Sequence, residues 1–205
     1  MKNFVYLVGP EQGSSVLVVD PAWDVPAIER QLAQDGKSLV GAFVTHHHGD
    51  HTNGLGELLA RHDVPVYVQK EELDFAAALR QWGRAVHPLG AGSALTVEGM
   101  AFTALLTPGH TPGSQCLLAE DAVIAGDTLF VDHCGRCDLP GGNPEAMFRS
   151  LSEVLLKLPD GTRMMPGHDY GDMPSSTLER EREHNPYLKF EDAKAFVEFR
   201  MRPRS

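Results

Sequence analysis

The sequence predicts an α/β fold in which two mixed β-sheets pack face to face and helices cover their outer surfaces. Three observations predict it. Short apolar runs of strand length fall into two groups along the chain, and each group is interleaved with segments of helical spacing. Polar residues then collect where the apolar runs stop. The 205 residues suit one domain spanning 1–205, with a short helical C-terminal segment from about residue 176.

Each element has its own signal. Runs at 4–9 and 15–20, separated by Pro10-Glu11-Gln12-Gly13, read as a hairpin. Residues 25–35 carry Val25, Ile28 and Leu32 at helical spacing, and Gly36 stops them. The run 39–45 reads as a buried strand, and 52–62 resumes helical spacing through Leu55, Leu58 and Leu59. The plan then repeats: a strand at 64–68, a helix over 71–82, and strands at 95–98, 102–106, 116–119 and 122–125. A helix over 144–158, a strand at 163–165 and two helices in 176–200, broken at Asn185-Pro186, complete the chain. Trp23, Trp82, Phe196 and Phe199 are expected to pack in the core or between helices.

Apolar residues make up 42% of the chain and charged residues 22%, the profile of a soluble globular protein. The net charge of −10 argues against a nucleic-acid or acidic-membrane partner, because binding phosphates needs clustered Lys and Arg. Three cysteines do not make a disulfide framework. The first apolar run is too short for a signal peptide, and no run approaches a membrane span, so the cytoplasm is the expected compartment.

The chemistry is concentrated in Thr45-His46-His47-His48-Gly49-Asp50-His51, which leaves a buried strand directly. In extended chain, alternate side chains share a face, so His46 and His48 point together and His47 points away. Imidazole and carboxylate are the donors that hold zinc, iron or manganese at neutral pH. Three later segments repeat the form of a polar residue beside glycine at a strand end: Pro108-Gly109-His110, Gly126-Asp127 and Gly167-His168. Loops at one sheet edge converge on one site.

With these residues in view, the chain resembles the metallo-β-lactamase superfamily, whose signature is His-x-His-x-Asp-His followed by a His, an Asp and a His. The resemblance implies a four-layer αββα fold. It also implies two divalent metal ions, zinc foremost, with iron or manganese as alternatives. One would be held by His46, His48 and His110, the other by Asp50, His51 and His168, with Asp127 between them. Asp50 and Asp127 would serve in catalysis.

Asp127-Thr128-Leu129-Phe130, Cys134-Gly135-Arg136 and Gly167-His168-Asp169-Tyr170 resemble the branch that holds glyoxalase II and the persulfide dioxygenases. In that branch Arg136 would pair with a glutathione carboxylate and Tyr170 would hydrogen-bond the peptide. The leading expectation is a glyoxalase II-like hydrolase (hydroxyacylglutathione hydrolase-like), cleaving a glutathione thioester with a metal-activated hydroxide. Residues after 188 are shorter than the helical extension of typical glyoxalase II.

Two alternatives stand beside it. One is a glutathione persulfide dioxygenase with a single Fe(II) held by His46, His110 and Asp127, a resemblance carried by Asp138 and by 176–186. The other is a non-catalytic metal-binding protein, which the open, cysteine-poor donor set disfavours. Cys134-Gly135-Arg136-Cys137 reads as a loop feature.

Overall fold

The computed structural model describes residues 2–202. Strands β1 (Tyr6–Val8) and β2 (Ser15–Val19) form the expected antiparallel hairpin. Helix α1 (Val25–Asp35) begins at Asp24, whose side chain accepts from the Ala27 amide, an N-cap that satisfies a free helix donor. Strand β3 (Ser38–Phe43) runs parallel to β2 and leads into α2 (Gly49–Thr52) and α3 (Leu55–Arg61). Strand β4 (Val66–Gln69), helix α4 (Lys70–Phe75) and strand β5 (Val86–Leu89) finish the first half. The first sheet has the order β1-β2-β3-β4-β5.

The second half supplies β6 (Ser93–Val97), β7 (Met100–Leu106), β8 (Gln115–Leu118) and β9 (Ala122–Gly126), then a small hairpin of β10 (Leu129–Phe130) and β11 (His133–Cys134). Helix α5 (Pro144–Arg149) is followed by β12 (Arg163–Pro166), β13 (Ser176–Thr177), α6 (Leu178–His184) and α7 (Ala193–Arg200). The second sheet has the order β13-β12-β9-β8-β7-β6, with only the β9–β12 pair parallel.

Alternation along the strands builds three apolar layers. In β2, Leu17 and Val19 face Phe43, Phe102, Leu117 and Ile124 between the sheets, while Val16 and Val18 face the helices. Side chains of period two are buried on both faces, which is why this strand reads as an unbroken apolar run. Val25, Ile28, Leu32, Leu55 and Leu58 close the outer face of the first sheet. Met147, Leu151, Leu178 and Phe196 close that of the second. The result is the expected helix–sheet–sheet–helix order. Burying each such Leu or Phe contributes roughly 1.5–3 kcal/mol.

Several expectations need correction. The helix expected over 52–62 starts earlier and breaks at Asn53-Gly54. A Cβ at Gly54 would sit 2.6 Å from the Pro21 carbonyl oxygen, so the break lets the chain pass close to the end of β2. The helix expected over 71–82 ends at Phe75 and gives way to 3₁₀ turns over Ala77–Ala85. Strand β5 was not foreseen, because Val86-His87-Pro88-Leu89 carries a proline and no long apolar run; it pairs at the sheet edge, where proline is tolerated. The helix over 144–158 tightens and loosens, passing through a π turn at Ser150–Val154 and a 3₁₀ turn at Leu155–Lys157.

Trp23 is not core. It is 59% exposed, with φ of +60° and its amide on Asn53 Oδ1 at 2.7 Å. Trp82, by contrast, packs against the first outer layer, and Phe196 is fully buried. The chain ends in the basic run Arg200-Met201-Arg202-Pro203-Arg204, of which Pro203 and Arg204 lie outside the described residues. Among the described residues no helix is long and apolar enough to cross a membrane.

Candidate metal centre

The site forms at the edge where β2, β3, β7, β9 and β12 end. His46 and His51 are buried at 1% exposure, and His110 and His168 at 3%. Asp50 and Asp127 keep a narrow opening. His46 Nε2 lies 3.1 Å from His48 Nδ1, which lies 2.9 Å from His110 Nε2. On the other side, His51 Nε2 lies 3.2 Å from His168 Nε2, and Asp50 Oδ2 lies 3.5 Å from the same atom. Asp127 stands between the two groups. Its Oδ1 is 3.3 Å from His51, and its Oδ2 is 3.5 Å from His110 and 3.4 Å from His168.

All seven residues expected from the sequence therefore come together. His47 turns away, as the alternation requires: its Nδ1 lies 2.5 Å from Glu72 Oε1. Gly126 makes the approach of Asp127 feasible. Its φ is +49°, and a Cβ there would stand 2.7 Å from Thr45.

The hydrogen bonds fix which nitrogen of each ring faces inward. Thr45 Oγ1 donates to Asp20 Oδ2, so it accepts from His46 Nδ1 at 3.0 Å. His51 Nδ1 donates to Asp20 at 2.8 Å, and His110 Nδ1 donates to the Arg136 carbonyl at 2.8 Å. Each ring is left with an Nε2 lone pair turned inward. Outer partners of this kind set the tautomer and orientation of metal-binding imidazoles. Facing lone pairs repel one another unless a cation lies between them. Buried Asp127 Oδ1 also has no hydrogen-bond donor among the described residues. Three overlapping groups have donor atoms within 4.8 Å of one another and could each hold a metal ion: His46/His48/His110, His46/His51/Asp127 and Asp50/His51/His168. The donor set fits metal ions.

Electrostatics agree for the first group of rings. Burial holds His46, His48 and His110 below the usual histidine range, His48 at about 4, so these rings are neutral and able to ligate. For His51 burial is outweighed by Asp20 and Asp127, and the ring is held well above that range. Burial of Asp127 is likewise outweighed by the His168 and His51 rings beside it, and its carboxyl is held well below the carboxylate range.

Two acids that the sequence did not single out brace the site. Asp20, at the end of β2, accepts from the Thr45 amide, the Thr45 hydroxyl and His51. Its place directly after an apolar run is shared with the other site residues, although it lacks the neighbouring glycine that marks His110, Asp127 and His168. Glu72 on α4 is fully buried and accepts from the His47 amide (2.7 Å), the His47 ring, the Thr111 hydroxyl (2.8 Å) and the Gly113 amide (2.8 Å). It ties the His46–His51 loop to the His110 loop. Burial would raise its pKa, but the bonds from His47 and Thr111 outweigh that and hold it low.

The centre opens into a cavity of about 720 Å³ lined in part by Phe130, His133, Arg136, Leu139 and Tyr170. Tyr170 is half exposed and stacks on His168 at 4.6 Å. The exposed Arg136 fork is engaged by Asp138, with Nε–Oδ1 at 2.9 Å and Nη2–Oδ2 at 2.8 Å. Cys116, Cys134 and Cys137 are buried and form no disulfide, and burial pushes Cys137 up to about 11, which suits a structural thiol.

A fold of two sheets between helices, with a histidine–aspartate metal cluster at the strand ends, defines a class of metal-dependent enzymes. The sequence profile of the Metallo-beta-lactamase superfamily matches residues 2–168, and the chain belongs to that superfamily. The chain is similar to the probable polyketide biosynthesis zinc-dependent hydrolase BaeB of Bacillus velezensis, 32% identical over 98% of this chain and 88% of the relative. It is also similar to the hydroxyacylglutathione hydrolase of Shewanella halifaxensis, 39% identical over 172 residues and 82% of this chain; the match spans 62% of that relative's length. The structure of ETHE1 from Myxococcus xanthus superposes with a TM-score of 0.87 at 30% identity, covering 99% of this chain and 88% of the other.

Proposed function

We propose that this protein is a two-metal hydrolase of the glyoxalase II type that cleaves a glutathione thioester. The observation that carries the reading is the position of Asp127 between two adjacent donor groups, with Oδ2 3.5 Å from His110 of one and 3.4 Å from His168 of the other, and Oδ1 3.3 Å from His51. In this reading His46, His48 and His110 hold the first metal, and Asp50, His51 and His168 hold the second. Asp127 would serve both. Zinc suits the nitrogen-rich set and is the metal in the name of the BaeB relative. Bound there, the metals would supply an activated water at neutral pH and polarise the thioester carbonyl.

The chain's own groups do the rest. Asp127 and Asp50 border the cavity and orient the attacking water, and Asp50 takes its proton as the new C–O bond forms and the C–S bond breaks. The thiol product carries the proton away. Phe130 and Leu139 provide an apolar wall for the acyl group. Arg136 and Tyr170 stand on the same wall, where a planar guanidinium suits a glutathione carboxylate and the phenol suits its peptide. To receive a carboxylate, Arg136 must exchange its bond to Asp138. A glutathione substrate agrees with a cytoplasmic location, and residues 1–205 act as one domain.

A second reading is oxygenation of glutathione persulfide at a single ferrous iron held by His46, His110 and Asp127. It is favoured by Asp138, which pairs with Arg136 and stands where the sequence resembles the persulfide dioxygenases.

The deciding experiment compares two assays on protein of known metal content. Thiol release from an S-acylglutathione by protein carrying two metals supports the hydrolase. Oxygen uptake with sulfite release from glutathione persulfide, without thioesterase activity, overturns it in favour of the second reading.

A further inference from the structure

The imidazoles of the centre are not held alike. His46, His51 and His110 each have Nδ1 fixed, by Thr45, Asp20 and the Arg136 carbonyl. His168 Nδ1 is buried and meets no hydrogen-bond partner among the described residues. Its ring rests on Tyr170, and its backbone is fixed by the start of the chain. Asn3 and His168 form an isolated antiparallel bridge. The Phe4 amide donates to the Gly167 carbonyl, and the Asp169 amide to the Lys2 carbonyl, both at 2.9 Å.

The side chain of the same Asn3 reaches the other flank of the site. Its Nδ2 donates to Asp50 Oδ2 at 3.1 Å and to the Asp50 carbonyl at 2.9 Å. Both of these atoms are acceptors, so the amide nitrogen must face Asp50. Asp50 belongs to α2, just after β3, and His168 to the loop after β12, 118 residues further on (168 − 50). Asn3 thus sits where its neighbours Lys2 and Phe4 fix the main chain around one donor, while its own side chain fixes the carboxylate of another, and both donors face His51.

We infer that Asn3 is a positioning residue for the second metal position, holding Asp50 and His168 together and setting how tightly that position binds its ion. The inference rests on the two-metal reading above. A carboxylate ligand without an outer hydrogen bond can rotate away from its ion, and loss of such a partner costs about 10–100-fold in metal affinity. Among the described residues the donors of the first position, His46, His48 and His110, make no hydrogen bond to Asn3, and their affinity is independent of it.

The test is a titration of the metal-free protein with zinc in competition with a chromophoric chelator, on the wild type, Asn3→Ala and Asn3→Leu. Both variants keep a backbone able to bridge His168, and leucine also keeps the bulk. The wild type takes up two equivalents. In both variants the second equivalent weakens by about 10–100-fold while the first changes by less than about twofold. Metal-free melting curves run alongside.

An unchanged second equivalent in both variants overturns the inference. So does wild-type affinity in Asn3→Leu alone, which would make bulk the cause. Equal weakening of both equivalents with a lowered metal-free melting temperature overturns it as well, by showing general loosening. If the wild type saturates at one equivalent, the two-metal reading itself fails, a result distinct from the other three.

Discussion

The two halves of the molecule furnish the centre in opposite ways. The first half delivers His46, His48, Asp50 and His51 from one segment after β3, a loop running into α2, within six positions. The second half delivers His110, Asp127 and His168 from three loops, one each. The single loop is clamped from outside by Asp20 and Glu72, whereas the three loops are held by their glycine-bordered strand ends and by contact with the first half. The lesson is a division of labour. A compact cluster of donors gains a fixed shape from a few buried acids, and the dispersed donors close around it when the sheets pack.

Variants can break that contrast. The largest effect is expected from Asp127→Ala, which removes the one donor shared by both groups; turnover and most metal binding should vanish together. Near-normal metal content measured by elemental analysis would show that the dispersed half is not needed to bind metal.

Glu72→Gln comes next. The amide cannot accept from both His47 donors and both donors of the His110 loop, and each buried donor left unpaired costs about 1–3 kcal/mol. Chemical denaturation of the metal-free variant should show that loss. The Glu72 carboxyl is held low in the folded state, so its stabilisation is complete above the ordinary carboxylate range and is lost as pH falls through its folded value. Glu72→Gln should therefore flatten the acid side of the stability profile. An unchanged acid profile would remove Glu72 as the clamp.

Arg136→Ala is milder, because it removes a side chain that lines the cavity wall and keeps the main-chain carbonyl that holds His110. KM for a glutathione thioester should rise about tenfold, the equivalent of one charge-assisted hydrogen bond, with small thioesters unaffected. Equal effects on both substrates would take the glutathione role from it. The smallest effect belongs to Trp23→Asn. Trp23 holds a left-handed backbone on the surface of the first half, and asparagine adopts it more readily. A gain of up to about 1 kcal/mol is expected in a thermal melt. A loss would mean that the exposed indole makes contacts that matter.

The same contrast explains what could be read from the sequence. The four-donor loop was legible because its information is local: residues at i, i+2, i+4 and i+5 declare a shared face. The dispersed donors were legible only as a repeated form, a polar residue by a glycine after an apolar run. Asn3 and Glu72 were not legible, because a residue that braces a site across 47 or 39 positions leaves no periodic mark. Trp23 was misread for a related reason. Its hydrophobicity argues for burial, and only the backbone bond to Asn53 reveals that the loop turns it outward. The break at Gly54 and the edge strand β5 depend on packing against distant partners, which local propensity does not encode.

The clustered loop also has a consequence for how the chain folds. His46, His47, His48 and His51 remain near neighbours in sequence when every tertiary contact is gone, so the unfolded chain keeps a short metal-chelating peptide. An ion that binds both states stabilises the native one only by the difference in affinity. Zinc should therefore raise the melting temperature by less than its native affinity implies. During refolding, zinc supplied early can also draw His47 into a chelate that must open before that ring can meet Glu72. Folding first and adding metal afterwards is then the faster route to the native centre.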